Sequence, residues 1–89
     1  EAAGLAAVGT SVPMVNEGRF SIGGEIPVNP SGGTLCTNAI AVTAMIRVAE
    51  IALQLKGTAG GHQVKGAKCG IASGNGGDHQ FFGTMVLEA

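Results

Sequence analysis

Two histidines, two cysteines and an asparagine at the start of a long apolar segment are the residues of this chain whose types could do chemistry. Histidine is the usual proton carrier near neutral pH. His79 ends the run Gly74-Asn75-Gly76-Gly77-Asp78-His79, where it is either a solvated loop residue or a proton carrier able to reach a site at the other glycine turn, Pro30-Ser31-Gly32-Gly33. His62 follows Gly60-Gly61 in a polar stretch and reads as structural. Cys36 lies close to the second turn but has no base near it in sequence, so it reads as a small apolar filler. Cys69 alternates within an expected strand and reads as core. The cysteines lack paired metal-ligand spacing, no metal is expected, and two thiols are too few for a disulfide scaffold. Reduced thiols in a cytoplasmic protein are the simplest expectation.

The Pro30–Gly33 turn is the second candidate. Gly32 and Gly33 let the backbone turn sharply and let a ligand come close. The helix that follows points free N–H groups and a partial positive charge at whatever sits there, a place where a carbonyl becoming an oxyanion is stabilised. Ser31, Gly32 and Gly33 are therefore candidate ligand contacts, although a glycine turn entering a core helix has the same wording. Asn38 suits a helix N-cap by type and place.

The elements around these residues are few. Glu1 to Val8 has the composition of a helix tail, weakened by Gly4. Gly9 to Gly18 reads as a loop, with Ser11-Val12-Pro13 and Asn16-Glu17-Gly18 as breakers. Arg19 to Ile22 and Ile26 to Asn29 read as short extended pieces. A long helix is expected from about Asn38 to Lys56, ended by Gly57 just past a last turn that carries Lys56. Ala67 to Ser73 and Phe81 to Leu87 read as strands, the second apolar on both faces and therefore central.

The helix is the most informative element. Thr43, Arg47, Glu50 and Gln54 form one narrow polar stripe, and every other position from Ala39 to Leu55 is apolar. Arg47 and Glu50 are expected to pair with each other or with a neighbouring segment. A helix apolar over most of its circumference must be buried on most sides. A few short strands cannot wrap it, so a second layer is expected from elsewhere in a longer chain or from another subunit. Composition agrees: apolar residues make up 45% and charged residues 12% of the 89, against about 25% charged in an average domain. Net charge is −1, which offers no nucleic-acid footprint and no polybasic membrane patch. Arg47 and Glu50 inside the longest apolar stretch argue against a membrane span.

The wording itself resembles a family. Gly23 to Gly33, GGEIPVNPSGG, is similar to the strand and turn that open the last part of thiolases of the sterol-carrier and lipid-transfer type, which resemble acetyl-CoA acetyltransferases. Their pattern there is G-G-x-x-P-V-N-P-S-G-G. The later text, RVAEIALQLKGTAGGHQVKGAKCGIASGNGGDHQFF, resembles the family's helix, its Q-x-x-G-x-A-G connection and its closing glycine-rich hairpin. The resemblance runs in order from about Gly4 to the C-terminus.

The resemblance implies an α/β fold of the layered thiolase type, α/β/α/β/α with two similar halves and usually dimeric. Residues 1–89 would be an incomplete C-terminal segment of it, with short strands around one long buried helix. It implies an enzyme that makes or breaks a carbon–carbon bond next to a coenzyme A thioester, the thioester being substrate and no cofactor staying bound. In the family a nucleophilic cysteine sits in the first half. A histidine in a Gly-His-Pro motif follows N-P-S-G-G, and a second cysteine lies in the final glycine loop. Here Asn29 to Gly33 match, but Thr37-Asn38-Ala39 stands where Gly-His-Pro would be, with one residue fewer before it. Asn38 can donate a hydrogen bond to an oxyanion but cannot take a proton. The loop Ser73 to Gly77 keeps its glycines, making Gly76 and Gly77 candidate substrate contacts, but lacks the cysteine.

Asn38 and His79 are thus the catalytic candidates. Some thiolase-like branches with asparagine at that place, among them steroid side-chain retro-aldolases, work with a small zinc-ribbon and OB-fold partner protein. The resemblance makes such a partner an expectation, beside the remainder of the thiolase-like chain and a homodimer. Three functions compete: acyl transfer by thiolysis or Claisen condensation, retro-aldol carbon–carbon cleavage on a CoA thioester, and a non-catalytic lipid-binding subunit.

Overall fold

The computed structural model describes residues 1–33, 41–76 and 80–89. Its elements are helix α1 (Ser11–Asn16), helix α2 (Thr43–Lys56), a 3-10 turn (Gly60–His62) and strands β1 (Cys69–Gly76) and β2 (Phe81–Glu88).

Helix α2 ends as its sequence requires. Gly57 adopts a left-handed φ of 72°. Its N–H bonds the Gln54 carbonyl at 3.1 Å, and the Thr58 N–H bonds the Leu53 carbonyl at 3.0 Å. This paired closure satisfies carbonyls that the helix end leaves free. The described part of the helix starts at Thr43, and the expected first turn at Asn38 to Ile40 lies outside the described residues.

Strands β1 and β2 form an antiparallel hairpin, in register from Cys69 opposite Glu88 to Gly76 opposite Phe81. Side chains alternate across a strand, so Gly70, Ala72, Gly74 and Gly76 share one face of β1. That face is the one laid against α2. A β-carbon on Gly70 would lie 2.6 Å from the Ile51 side chain, and one on Gly74 would lie 2.6 Å from the Ala44 β-carbon. Ala72, between them, is buried. Helix and strand therefore run side by side in opposite directions, with Gly74 against Ala44 and Gly70 receiving the Ile51 side chain. The sequence reading ends this strand at Ser73 and takes Gly74 to Gly77 as a turn. The structure carries the strand on to Gly76, because the glycines make room for the helix.

Among the described residues the helix is contacted by the hairpin and by the 59–64 connection. Met45, Ile46 and Leu53 stay exposed, as do Ile71, Phe82 and Val86 on the far face of the hairpin. Among the described residues the buried apolar set is Met14, Ala59 and Ala72. Enclosure of α2 on most sides is thus not achieved by the described residues. Strand β2, expected to be central, pairs with β1 alone among them.

The first third departs from expectation. Glu1 to Val8 makes turns and bends rather than a helix tail. Residues read as a loop form α1, because Pro13 lies in its first turn, where a missing N–H costs little. Glu1 supplies the acceptor at the helix start, taking bonds from the Ser11 hydroxyl at 2.7 Å and from the backbone N–H groups of Gly9 and Ser11 at 3.0 and 3.1 Å. The two expected extended pieces, Arg19 to Ile22 and Ile26 to Asn29, do not become strands. Only two backbone bonds join them, Ile26 N–H to the Arg19 carbonyl and Val28 N–H to the Phe20 carbonyl. The chain folds tightly onto itself here: a β-carbon on Gly24 would sit 2.4 Å from the Arg19 carbonyl oxygen. An Arg19–Glu25 ion pair closes the loop from outside.

Candidate functional site

The turn that opens the candidate site is built by backbone geometry. The Gly32 N–H donates to the Asn29 carbonyl at 2.9 Å. Asn29, Gly32 and Gly33 have φ of 48°, 85° and 62°. Asparagine tolerates the left-handed region better than most residues, and glycine enters it without strain. Ser31 is exposed on this turn. The candidate contacts Ser31, Gly32 and Gly33 thus form one local unit whose Gly33 backbone faces the Asn29 side chain.

The second candidate element is the glycine end of the hairpin, and the cleft beside it is not lined by Ser31, Gly32 or Gly33. Because Gly74 rests on Ala44, this end stands beside the first turn of α2. The Gln80 N–H bonds back to the Gly76 carbonyl at 3.1 Å, and the hairpin begins to close there. Between α2 and the hairpin lies an open, mainly apolar cleft of about 420 Å³, lined by Ala44, Met45, Val48, Phe81, Phe82 and Met85 among others. Ala41, just before the helix, has a positive φ of 69°, a strained conformation for a residue with a β-carbon. The start of α2, a strained alanine and the Gly76 end of the hairpin are therefore neighbours. Asn38, His79, Gly77 and Cys36 lie outside the described residues.

The polar stripe of α2 has two separate uses. The Arg47 Nη1 donates to the Ser73 carbonyl oxygen at 2.6 Å. Glu50 turns the other way: its Oε2 meets His62 Nε2 at 3.2 Å, and its Oε1 accepts from Gln54 Nε2 at 2.8 Å. The expectation that these two residues pair with each other or with neighbouring segments resolves to neighbouring segments for both. Gln54 is buried, and its amide is fully used, with Nε2 also bonded to the His62 carbonyl and Oε1 accepting from Val64 N–H and Gln63 Nε2. His62 is thus part of a structural clamp. By sequence alone Gln54 is one member of the polar stripe. Gln54 and Gln63 stand on either side of Gly57 and the Gly60-Gly61 pair, and that spacing carried the signal of a clamped connection.

Among the described residues no group of three or more His, Cys, Asp or Glu side chains is placed to hold a metal ion. No described helix is long and apolar enough to cross a membrane. Cys69 is an exposed free thiol on β1 rather than the core residue expected from its alternation. It falls on the face of the strand turned away from α2.

Comparison with known proteins decides the family. The model of the thiolase C-terminal domain-like family matches residues 1–89. The chain belongs to the thiolase family. This thiolase C-terminal domain is 42% identical over 62 residues to an acetyl-CoA acetyltransferase of Methanothermobacter thermautotrophicus, covering 68% of the chain and 16% of that protein. It is 38% identical over 72 residues to sterol carrier protein 2 of Homo sapiens, covering 80% of the chain and 13% of that protein. The sterol carrier protein 2 of Gallus gallus is 35% identical over 69 residues, which is 76% of the chain and 13% of the relative. The chain thus spans roughly one seventh of the length of these relatives. No solved structure matches at a significant level. Its fold is that of the thiolase C-terminal domain, α/β, with a helix against antiparallel strands.

Proposed function

We propose that this thiolase C-terminal domain supplies the C-terminal part of the active site of an acyl-CoA acyltransferase, working by thiolysis or Claisen condensation of a coenzyme A thioester. The observation that carries the reading is the family match along the whole chain, joined to the packing of Gly74 on Ala44. That packing sets the glycine end of the hairpin beside the start of α2, and the acetyl-CoA acetyltransferase relative supports the reaction class. Ser31, Gly32, Gly33, Gly76 and Gly77 contact the thioester in this reading. Asn38 donates a hydrogen bond to the developing oxyanion, and His79 carries a proton.

The exposed sides of α2 and of the hairpin support a second layer from the remainder of a thiolase-like polypeptide, assembled as a cytoplasmic homodimer. In this reading residues 1–89 are one segment of a larger catalytic unit and are inactive alone, and no cofactor stays bound. A zinc-ribbon and OB-fold protein is a further partner in this reading.

A second reading is favoured by specific residues. Asparagine at position 38 and the absence of a cysteine from Ser73 to Gly77 suit retro-aldol cleavage of a CoA thioester better than ordinary thiolysis. The sterol carrier protein 2 relatives bring a third, a non-catalytic lipid-binding subunit. Incubating the complete polypeptide with acetoacetyl-CoA plus free coenzyme A, and separately with a β-hydroxyacyl-CoA, separates them. Release of acetyl-CoA supports the acyltransferase. A β-hydroxyacyl-CoA cleaved to an aldehyde or ketone without consumption of free coenzyme A supports the lyase. Neither product leaves the binding role.

A further inference from the structure

Arg47 lies one helical turn before Glu50, the natural partner for its charge, yet Glu50 is committed to Gln54 and His62. The Arg47 side chain instead crosses to β1 and donates to the Ser73 carbonyl, 26 residues along the chain. That carbonyl belongs to the residue just before Gly74, which lies against Ala44 of the helix. One charge-assisted hydrogen bond, stronger than a neutral one, and one contact without intervening side chains therefore fix the same point of the hairpin. The point lies two residues before Gly76, where β1 ends.

We propose that Arg47 is a positioning residue for the glycine end of the hairpin. Through Ser73 it sets where Gly76 stands relative to the start of α2, and so governs turnover at the site assigned above. The inference rests on the acyl-CoA reading for its catalytic consequence and on geometry alone for its mechanical one. Lysine at this position can reach across with a cation but brings one rotatable point of donation in place of a planar fork. Removing the side chain leaves the register near Gly76 to the Ala44–Gly74 contact alone, with the Ile51–Gly70 contact at the far end of the strand.

The test uses the complete polypeptide with Arg47→Ala and Arg47→Lys. Arg47→Ala is expected to lower kcat about 10-fold or more, because displacement by about 1 Å can cost up to ~100-fold. KM and the thermal midpoint stay close to those of the parent, and Arg47→Lys recovers most of kcat. A merely structural role would lower the midpoint and the folded fraction while leaving kcat per folded site unchanged, and that result overturns the proposal. Should Arg47→Ala not fold, Arg47→Gln, which keeps bulk with a shorter reach, is read in the same way. The magnetisation-transfer contact between the Ala44 methyl and the Gly74 α-protons gives an independent readout. It should weaken in Arg47→Ala and return in Arg47→Lys; an unchanged contact in Arg47→Ala also overturns the proposal. If the parent turns over no CoA thioester, the acyl-CoA reading fails by itself, and this contact still decides the role of Arg47.

Discussion

Gln54 holds Gln63 from two directions, accepting from its Nε2 through both the side-chain Oε1 and the backbone carbonyl, each at 3.0 Å. Gln63 returns the hold by accepting the Ala59 N–H at 3.0 Å. The connection that leaves α2 is thereby folded back onto its last two turns, and the following strand enters beside the helix that precedes it.

Gln54→Leu removes this clamp while preserving volume and helix propensity. The Val64 N–H, the His62 carbonyl and the Glu50 carboxylate then lose a partner each, in partly buried surroundings. Groups left unsatisfied cost about 1–3 kcal/mol each, discounted here because water reaches part of the site. A loss of at least ~2 kcal/mol in urea unfolding of the complete protein is expected. A change below ~0.5 kcal/mol, the level of ordinary surface substitutions, would show that the amide network adds nothing.

Gly74→Ala places a methyl group 2.6 Å from the Ala44 β-carbon, closer than packed carbons approach. Overpacking of this kind costs about 1–3 kcal/mol. Ala44→Gly in the same chain makes room, so the double variant should regain part of the loss beyond what additivity allows. Thermal unfolding of the four members of this cycle measures it, and strict additivity would show that the two positions do not touch.

Glu1 gives a pH dependence with a definite sign. Its carboxyl is held down from 4.5 to about 2, by the Ser11 hydroxyl foremost and then by the N–H groups of Ser11 and Gly9. A depressed carboxyl stabilises the fold at pH above its unfolded value and stops doing so as pH falls through the folded one. The start of α1 should therefore stay ordered at pH 5 and loosen between roughly pH 4.5 and 2. The Gly9 and Ser11 amide resonances report it, and Glu1→Gln should remove the transition. Because this carboxylate is fully exposed, added salt should weaken the effect.

Asn38→Ala tests the catalytic assignment. Loss of one oxyanion donor costs about 100-fold or more in kcat in well-studied cases, and a fall of at least ~10-fold is expected in the complete enzyme. An unaltered rate on a CoA thioester would remove Asn38 from the proposed mechanism.

What the sequence makes legible follows from how local each cause is. Helix α2 and its stop are legible because an apolar periodicity, Lys56 and Gly57 agree at short range. The hairpin is legible for the same reason, though its first strand runs past the expected end. Glycine is a poor strand former in isolation, and the benefit of Gly74 appears only once Ala44 is laid against it. Helix α1 is hidden by Pro13, whose effect depends on which helical position it occupies. The two pieces between Arg19 and Asn29 have strand-like wording, but the tight fold at Gly24 joins them by two backbone bonds that do not extend into a ladder. Of the candidate site, the turn at Ser31 to Gly33 and the hairpin end at Gly76 are visible as geometry. Asn38, Gly77 and His79 rest on wording alone.

The bare track of Gly70, Ala72 and Gly74 has a further consequence for how this domain tolerates change. Where ordinary side chains meet, a bad fit is absorbed by rotation about χ angles. Along this seam the strand presents bare backbone to Ala44 and to the Ile51 side chain, and such a seam has little compliance. Sequence drift here is confined to removal of atoms, whereas on the outward face, at Ile71 or Val86, whole side chains can be exchanged without moving the helix. The distance between rod and ribbon is in that sense set by the seam, while the Arg47–Ser73 bond is left to fix position along it.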